Sequence, residues 1–154
     1  MIRAPLQPKN IMNEIKLEIF DKKYLPILMG WYSNSNNRKY MLTQATTEKD
    51  ALRMIRNEED RKCYCIKLND FPIGYIVLMN IQSKIGRVVM MIDEPATGKG
   101  HGQQSLFLLE KEAKKLGIEK LTLEVRTDNT PAISLYKKFG FNLKYTEAVM
   151  EKMI

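Results

Sequence analysis

Between Glu14 and Phe20 the chain alternates charged and apolar residues, so Ile15, Leu17 and Ile19 share one face of a half-buried strand. Asp21 then reads as the cap of a helix from Lys22 to about Ser33, with Pro26 near its first turn. Leu25, Leu28, Met29 and Tyr32, three and four apart, form its buried stripe. Ser33 to Arg38 is polar and reads as a loop. Thr47, three residues before Asp50, opens a second helix over roughly 48–58, with Leu52 and Ile55 as its buried positions. Three strands follow as a meander, Cys63 to Leu68, Ile73 to Asn80 and Gly86 to Ile92, with Asn69-Asp70 as the first turn. The run VVMMI is almost wholly apolar and belongs in the middle of a sheet. Gln103 to Leu116 has a helical stripe of Leu106, Leu109, Ala113 and Leu116, stopped by Gly117. Lys120 to Arg126 is a strand, and Thr130-Pro131 opens a helix that runs to about Phe139 and ends at Gly140. Phe141 to Tyr145 and Ala148 to Met153 read as closing strands. The order is β-α-α-β-β-β-α-β-α-β-β, an α+β fold with a mixed sheet of about seven strands.

Composition adds little to this. The 154 residues are 44% apolar and 28% charged, as expected of one ordinary domain spanning 1–154, with residues 1–13 as an N-terminal extension. That extension carries Arg3 and Lys9 but no apolar core of a signal peptide, and no run is apolar enough to span a membrane. Cys63 and Cys65 fall on one strand face and lack a second ligand pair for zinc, so they read as small apolar residues of a reduced, cytoplasmic protein. The net charge of +7 suits an anionic ligand. The cations are scattered, so a nucleic-acid partner is not expected.

The chemistry concentrates in Thr97-Gly98-Lys99-Gly100-His101-Gly102, between an apolar strand and an amphipathic helix. Glycines at alternate positions let backbone N–H groups converge without a Cβ in the way. The helix start adds unpaired N–H groups and the positive end of the dipole, which together make a socket for a phosphate or diphosphate. A dinucleotide-binding turn is excluded by context, since a meander precedes the loop. A Walker A loop is excluded because no Lys-Ser/Thr closes it.

The second motif is Leu123-Glu124-Val125-Arg126, then Asn129, Ala132, Leu135, Tyr136, Lys138, Gly140 and Phe141. Taken with the loop, it resembles the GCN5-related N-acetyltransferase (GNAT) superfamily. The family's loop reads Arg/Gln-x-x-Gly-x-Gly/Ala, matched here by Thr97, Gly100 and Gly102. Its next segment reads Asn-x-x-Ala-x-x-Leu-Tyr-x-Lys-x-Gly-Phe, matched at every named position from Asn129 to Phe141. Thr97 departs from the usual Arg or Gln, which removes one side chain from the phosphates but leaves the amides. The run LEVR…N…A…LY is similar to ribosomal-protein alanine N-acetyltransferases, and the segment from Tyr24 to Met41 is similar to aminoglycoside 6'-N-acetyltransferases.

The resemblance implies a GNAT fold with helices on both faces of the sheet and acetyl-CoA as co-substrate. Its pantetheine arm would lie along Met90, Met91 and Ile92, with the N–H of Ile92 polarising the thioester carbonyl. The diphosphate would sit on Gly98, Lys99, Gly100, His101, Gly102 and Gln103, beside Thr97, and Asn129 would reach the pantetheine. Tyr136 would donate to the departing thiolate. Glu124 is the expected base, with Asp93, Glu94 and water as rivals. His101, inside the loop, points at phosphate or solvent rather than at the amine. The acceptor is a primary amine of a small molecule or peptide N-terminus, chosen by the segment around Ser33 to Gln44, and the protein is a monomer or homodimer. A domain that binds acetyl-CoA as a sensor or scaffold without turnover is the alternative.

Overall fold

The structure is a computed structural model that describes residues 14–42 and 45–154. The expected N-terminal extension, residues 1–13, lies outside the described residues, as do positions 43 and 44 of the expected acceptor segment. Five strands form one sheet: β1 (Ile15–Ile19), β2 (Arg61–Leu68), β3 (Phe71–Met79), β4 (Ile85–Ile92) and β5 (Lys120–Leu123), in that spatial order. The first four are antiparallel neighbours, and β5 runs parallel to β4. Asn69 and Asp70 both take positive φ, as a two-residue hairpin turn between β2 and β3 requires.

The helices lie on both faces. α1 (Leu25–Ser33), α2 (Ser35–Arg38) and α3 (Glu48–Met54) cover one face, where Leu28, Trp31, Tyr32 and Ala51 pack on Cys63, Cys65, Tyr75, Val77 and Met91. α4 (His101–Lys115) and α5 (Thr130–Phe139) belong to the other face, with Leu106, Leu109 and Ala113 on Ile66, Ile76, Leu78 and Val88. Burial pushes both thiols, Cys63 and Cys65, up to about 12, so they remain protonated and unreactive at neutral pH. Asp21 accepts from the N–H of Lys23 and Thr47 from that of Asp50, so both expected caps form. No helix among the described residues is long and apolar enough to cross a membrane.

Five expectations need correction. The sheet has five strands, not seven, because residues 141–154 form no strand and Leu143, Tyr145, Val149, Met150 and Met153 stand exposed. A tight hairpin needs residues that accept positive φ, and Thr146-Glu147 offers neither Gly, Asn nor Asp. Second, β5 stops at Leu123 rather than Arg126, where the guanidinium of Arg126 turns back onto Asp128 at 2.9 Å. Third, the polar stretch read as a loop contains α2, which Asn34 starts by accepting from the N–H of Asn36. Fourth, the helix expected from Lys22 begins as a 3-10 turn, Lys22–Tyr24. Fifth, Leu52 and Leu116 are partly exposed; Ala51 takes the buried place in α3, and Leu116 falls at the C-cap beyond the last turn of α4.

Candidate active site

The site begins where two strands part. β5 pairs with β4 only from Ile85↔Lys120 to Val88↔Leu123, while β4 continues to Ile92 against β3 alone. Beyond Val88 the β5-facing edge of β4 therefore has no strand partner among the described residues. The N–H of Asp93 bonds the carbonyl of Ile73 on β3 at 2.7 Å. Backbone groups alternate along a strand, so those of Met91 also face β3, and those of Met90 and Ile92 face the open edge. The expected trio of cofactor contacts thus divides: Met90 and Ile92 present main-chain groups to the fork, and the side chain of Met91 is buried on the far face. Gly74 sits opposite Ile92, and a Cβ there would collide with the carbonyl oxygen of Met91. Glycine lets the two strands stay in contact just where the other edge opens.

A 3-10 turn, Glu94–Ala96, carries the chain from β4 into the glycine loop, with the hydroxyl of Thr97 donating to the carbonyl of Glu94 at 2.7 Å. Gly100 takes φ 85° and stands at the N-cap of α4, where no side chain accepts from the first turn. The N–H of Gln104 is the first to bond back, to Gly100. The amides of His101, Gly102 and Gln103 therefore sit at an uncapped helix start, on a 15-residue helix whose dipole favours an anion there. Gly98, Lys99, Gly100 and Gln103 are exposed around it. A Cβ on Gly102 would press on Leu135 at 2.9 Å, so this glycine lets α4 close onto α5.

His101 departs from expectation. It belongs to the inward stripe of α4 with Ser105 and Leu109, so its ring is buried rather than turned to solvent. Its Nδ1 has no partner among the described residues.

Tyr136 lies on α5, packed against the core and edge-on to Phe141, with ring centroids 5.8 Å apart. Burial raises its phenol to about 12, and its hydroxyl makes no hydrogen bond within the described residues. It is thus a protonated donor without a partner among the described residues. Asn129 caps α5, its side-chain oxygen accepting from the N–H of Ala132 at 3.3 Å, which leaves its NH2 group for another acceptor.

Glu124 follows the last residue of β5 and accepts from the Arg87 guanidinium at 3.0 Å. It follows the last β4–β5 pair, Val88↔Leu123, at the root of the fork. Asp93 and Glu94 stand at its tip, where Asn37 holds both. The Asn37 amide donates to Asp93 Oδ1 at 2.7 Å and to the carbonyl of Trp31 at 3.0 Å, and its oxygen accepts from the N–H of Glu94 at 2.9 Å. Asn34 donates to the Glu94 carboxylate at 3.3 Å. The sequence reading missed Asn37. Its one signal was a run of asparagines in a segment too polar to be core.

Residues 25–141 match the acetyltransferase (GNAT) family. An N-acetyltransferase of Bacillus subtilis of uncharacterised activity, YycN, is 41% identical over 61 residues, 40% of this chain and 38% of that protein. The chain thus spans well under half the length of the curated relatives it matches. In structure it is similar to the RimL ribosomal L7/L12 alpha-N-protein acetyltransferase in complex with coenzyme A (TM-score 0.74, 17% identity, 85% of this chain and 81% of that one). It is also similar to the aminoglycoside acetyltransferase AAC(6')-Ib in complex with coenzyme A (TM-score 0.72, 19% identity, 85% and 86%). At such identities the structural likeness speaks for the fold, and the sequence match carries the assignment: this chain belongs to the acetyltransferase (GNAT) family.

Proposed function

We propose that the protein transfers the acetyl group of acetyl-CoA to a primary amine of a small molecule or peptide N-terminus, by direct attack in a ternary complex. One observation carries this reading: an open strand edge at Val89–Ile92 leads through a short turn into an uncapped helix start. An extended amide-bearing arm fits the edge, since it can add main-chain hydrogen bonds as a strand would. A diphosphate fits the helix start, where free N–H groups and the dipole act together. Few ligands join an extended arm to a diphosphate, and coenzyme A does. The two structural neighbours described above were both solved with it.

In this reading Met90 and Ile92 bond the pantetheine, and the N–H of Ile92 also polarises the thioester carbonyl. Gly98, Lys99, Gly100, His101, Gly102 and Gln103 hold the diphosphate, with Thr97 at the border. The amide nitrogen of Asn129 donates to the pantetheine. The amine attacks the carbonyl carbon, its N–C bond forms as the C–S bond breaks, and Tyr136 gives its proton to the sulfur. A phenol raised to about 12 stays protonated across the working range and so is always in the donating form.

The test is a panel of amines, read by release of free thiol: a peptide with a free N-terminus, a polyamine, an aminoglycoside and simple alkylamines. Turnover of at least one is expected. Tyr136→Phe should lower kcat about 100-fold, within the range for a lost general acid, while acetyl-CoA affinity changes less than about twofold. Tight acetyl-CoA binding with no turnover on any amine would replace this reading with that of a sensor or scaffold.

A further inference from the structure

We propose that Asp93 accepts the proton of the incoming amine and that Asn37 is the residue that positions it. The inference deepens the reading above and rests on it.

Backbone alternation puts the N–H of Ile92 on the open edge, where the thioester carbonyl is to be polarised. Asp93 is the next residue. Glu124 follows the last β4–β5 pair, Val88↔Leu123, and Val88 lies four residues before Ile92, which at about 3.3 Å per residue is about 13 Å along the strand. A base must reach the proton it removes, directly or through one water. Asp93 is at the tip of the fork, on the side where α1 and α2 meet the sheet. Glu124 is at its root.

The two carboxylates are held differently. Glu124 is tied back to Arg87 on β4 by an ion pair at 3.0 Å. Asp93 receives only a neutral amide, at Oδ1, and its other oxygen accepts nothing within the described residues. One oxygen is fixed and one is left for a proton.

Asn37 is only 7% exposed, and both its donors and its acceptor are engaged. Through these bonds it ties together three points: the end of α1 at Trp31, the side chain of Asp93 and the main chain of Glu94. The main chain of Asp93 is independently fixed to Ile73 on β3. The carboxylate is thus anchored from the sheet and from the helices on the acceptor side. A surface asparagine with no task would be solvated; this one, in α2, is buried and uses its amide to aim a half-buried acid.

The proton balance is simple. An ammonium loses two protons on its way to the amide, which keeps one hydrogen. Asp93 Oδ2 takes the first, which frees the attacking amine, and passes it to water. The second leaves the nitrogen as the N–C bond forms and, through water, replaces the proton that Tyr136 gives to the sulfur.

Asp93→Asn keeps an oxygen to accept from Asn37, so the fold should stand. Two nucleophiles of equal size separate the roles: the alkylamine that turns over best in the panel, and its aminooxy analogue (ethylamine and methoxyamine are the smallest such pair). The alkylamine arrives as an ammonium at neutral pH and the aminooxy compound does not. Asp93→Asn should lower kcat about 100-fold with the alkylamine, as for loss of a general base, but less than about tenfold with the aminooxy compound. Asn37→Ala should show the same selectivity with a smaller loss, and Asn37→Gln, which restores an amide, should recover part of it. The acetyl-CoA KM should stay within about twofold in all three. Equal losses with both nucleophiles, or the selective loss appearing in Glu124→Gln instead, would overturn the assignment. A wild-type protein that acetylates no amine would remove the transferase reading itself, and this inference with it.

Discussion

The two ends of the open edge of β4 are built by different means. At one end, residues 98–103 offer main-chain amides in an unbroken stretch, shaped by glycines and by the start of α4. At the other, Asn37 and Asp93 meet through side chains that lie 56 residues apart in sequence. The first end needs the absence of side chains, the second needs particular ones. A universal cofactor can be held by backbone, because its phosphates are the same for every relative. An acceptor has to be chosen, and choice is made by side chains brought together by the fold.

That contrast predicts opposite sensitivities. The largest effect should come from Gly100→Val. A β-branched residue at φ 85° costs about 1–3 kcal/mol of backbone strain, which the loop can relieve only by moving its amides. Acetyl-CoA affinity, measured by calorimetry, should fall about tenfold or more, while kcat at saturating cofactor changes little. An unchanged affinity would mean that these amides do not hold the diphosphate.

Asn37→Ala should do the reverse. Removing the amide leaves the N–H of Glu94 and the carbonyl of Trp31 without their partner, at a cost of about 1–3 kcal/mol in stability. The thermal midpoint should fall measurably, yet acetyl-CoA affinity should stay within about twofold. A parallel loss of cofactor affinity would show that the two ends are not separable.

The same contrast explains what could be read from the sequence. The loop was legible because its determinants are contiguous: alternate glycines, an apolar strand before and a helical stripe after. The caps at Asp21 and Thr47 and the turn at Asn69-Asp70 were legible for the same reason. The Asn37–Asp93 joint was not, since a long-range hydrogen bond leaves no periodicity in either segment. His101 was misjudged because its place in the glycine loop hid its membership of the buried stripe with Ser105 and Leu109. The closing strands were over-read. Residues 141–145 and 148–153 have strand-like alternation, but pattern alone cannot form a ladder without a turn that permits it, and β5 offers an edge of only 4 residues.

The smallest expected effect lies at the point that joins both ends. Thr97 stands where the family resemblance puts Arg or Gln. An added guanidinium there would lie near the diphosphate on an exposed surface, where one charge contributes about 0.3–1 kcal/mol. Thr97→Arg should therefore tighten acetyl-CoA about two- to fivefold at low salt, with the gain shrinking as ionic strength rises. The same substitution removes the bond from the Thr97 hydroxyl to the carbonyl of Glu94, which stiffens the turn behind Asp93. If that bond matters to the acceptor end, kcat will fall while affinity improves, and Thr97→Ser, which keeps the hydroxyl, will leave kcat alone. If kcat holds steady in both, the short turn after β4 insulates the backbone end of the site from the side-chain end, and substitutions in either can be combined without interference.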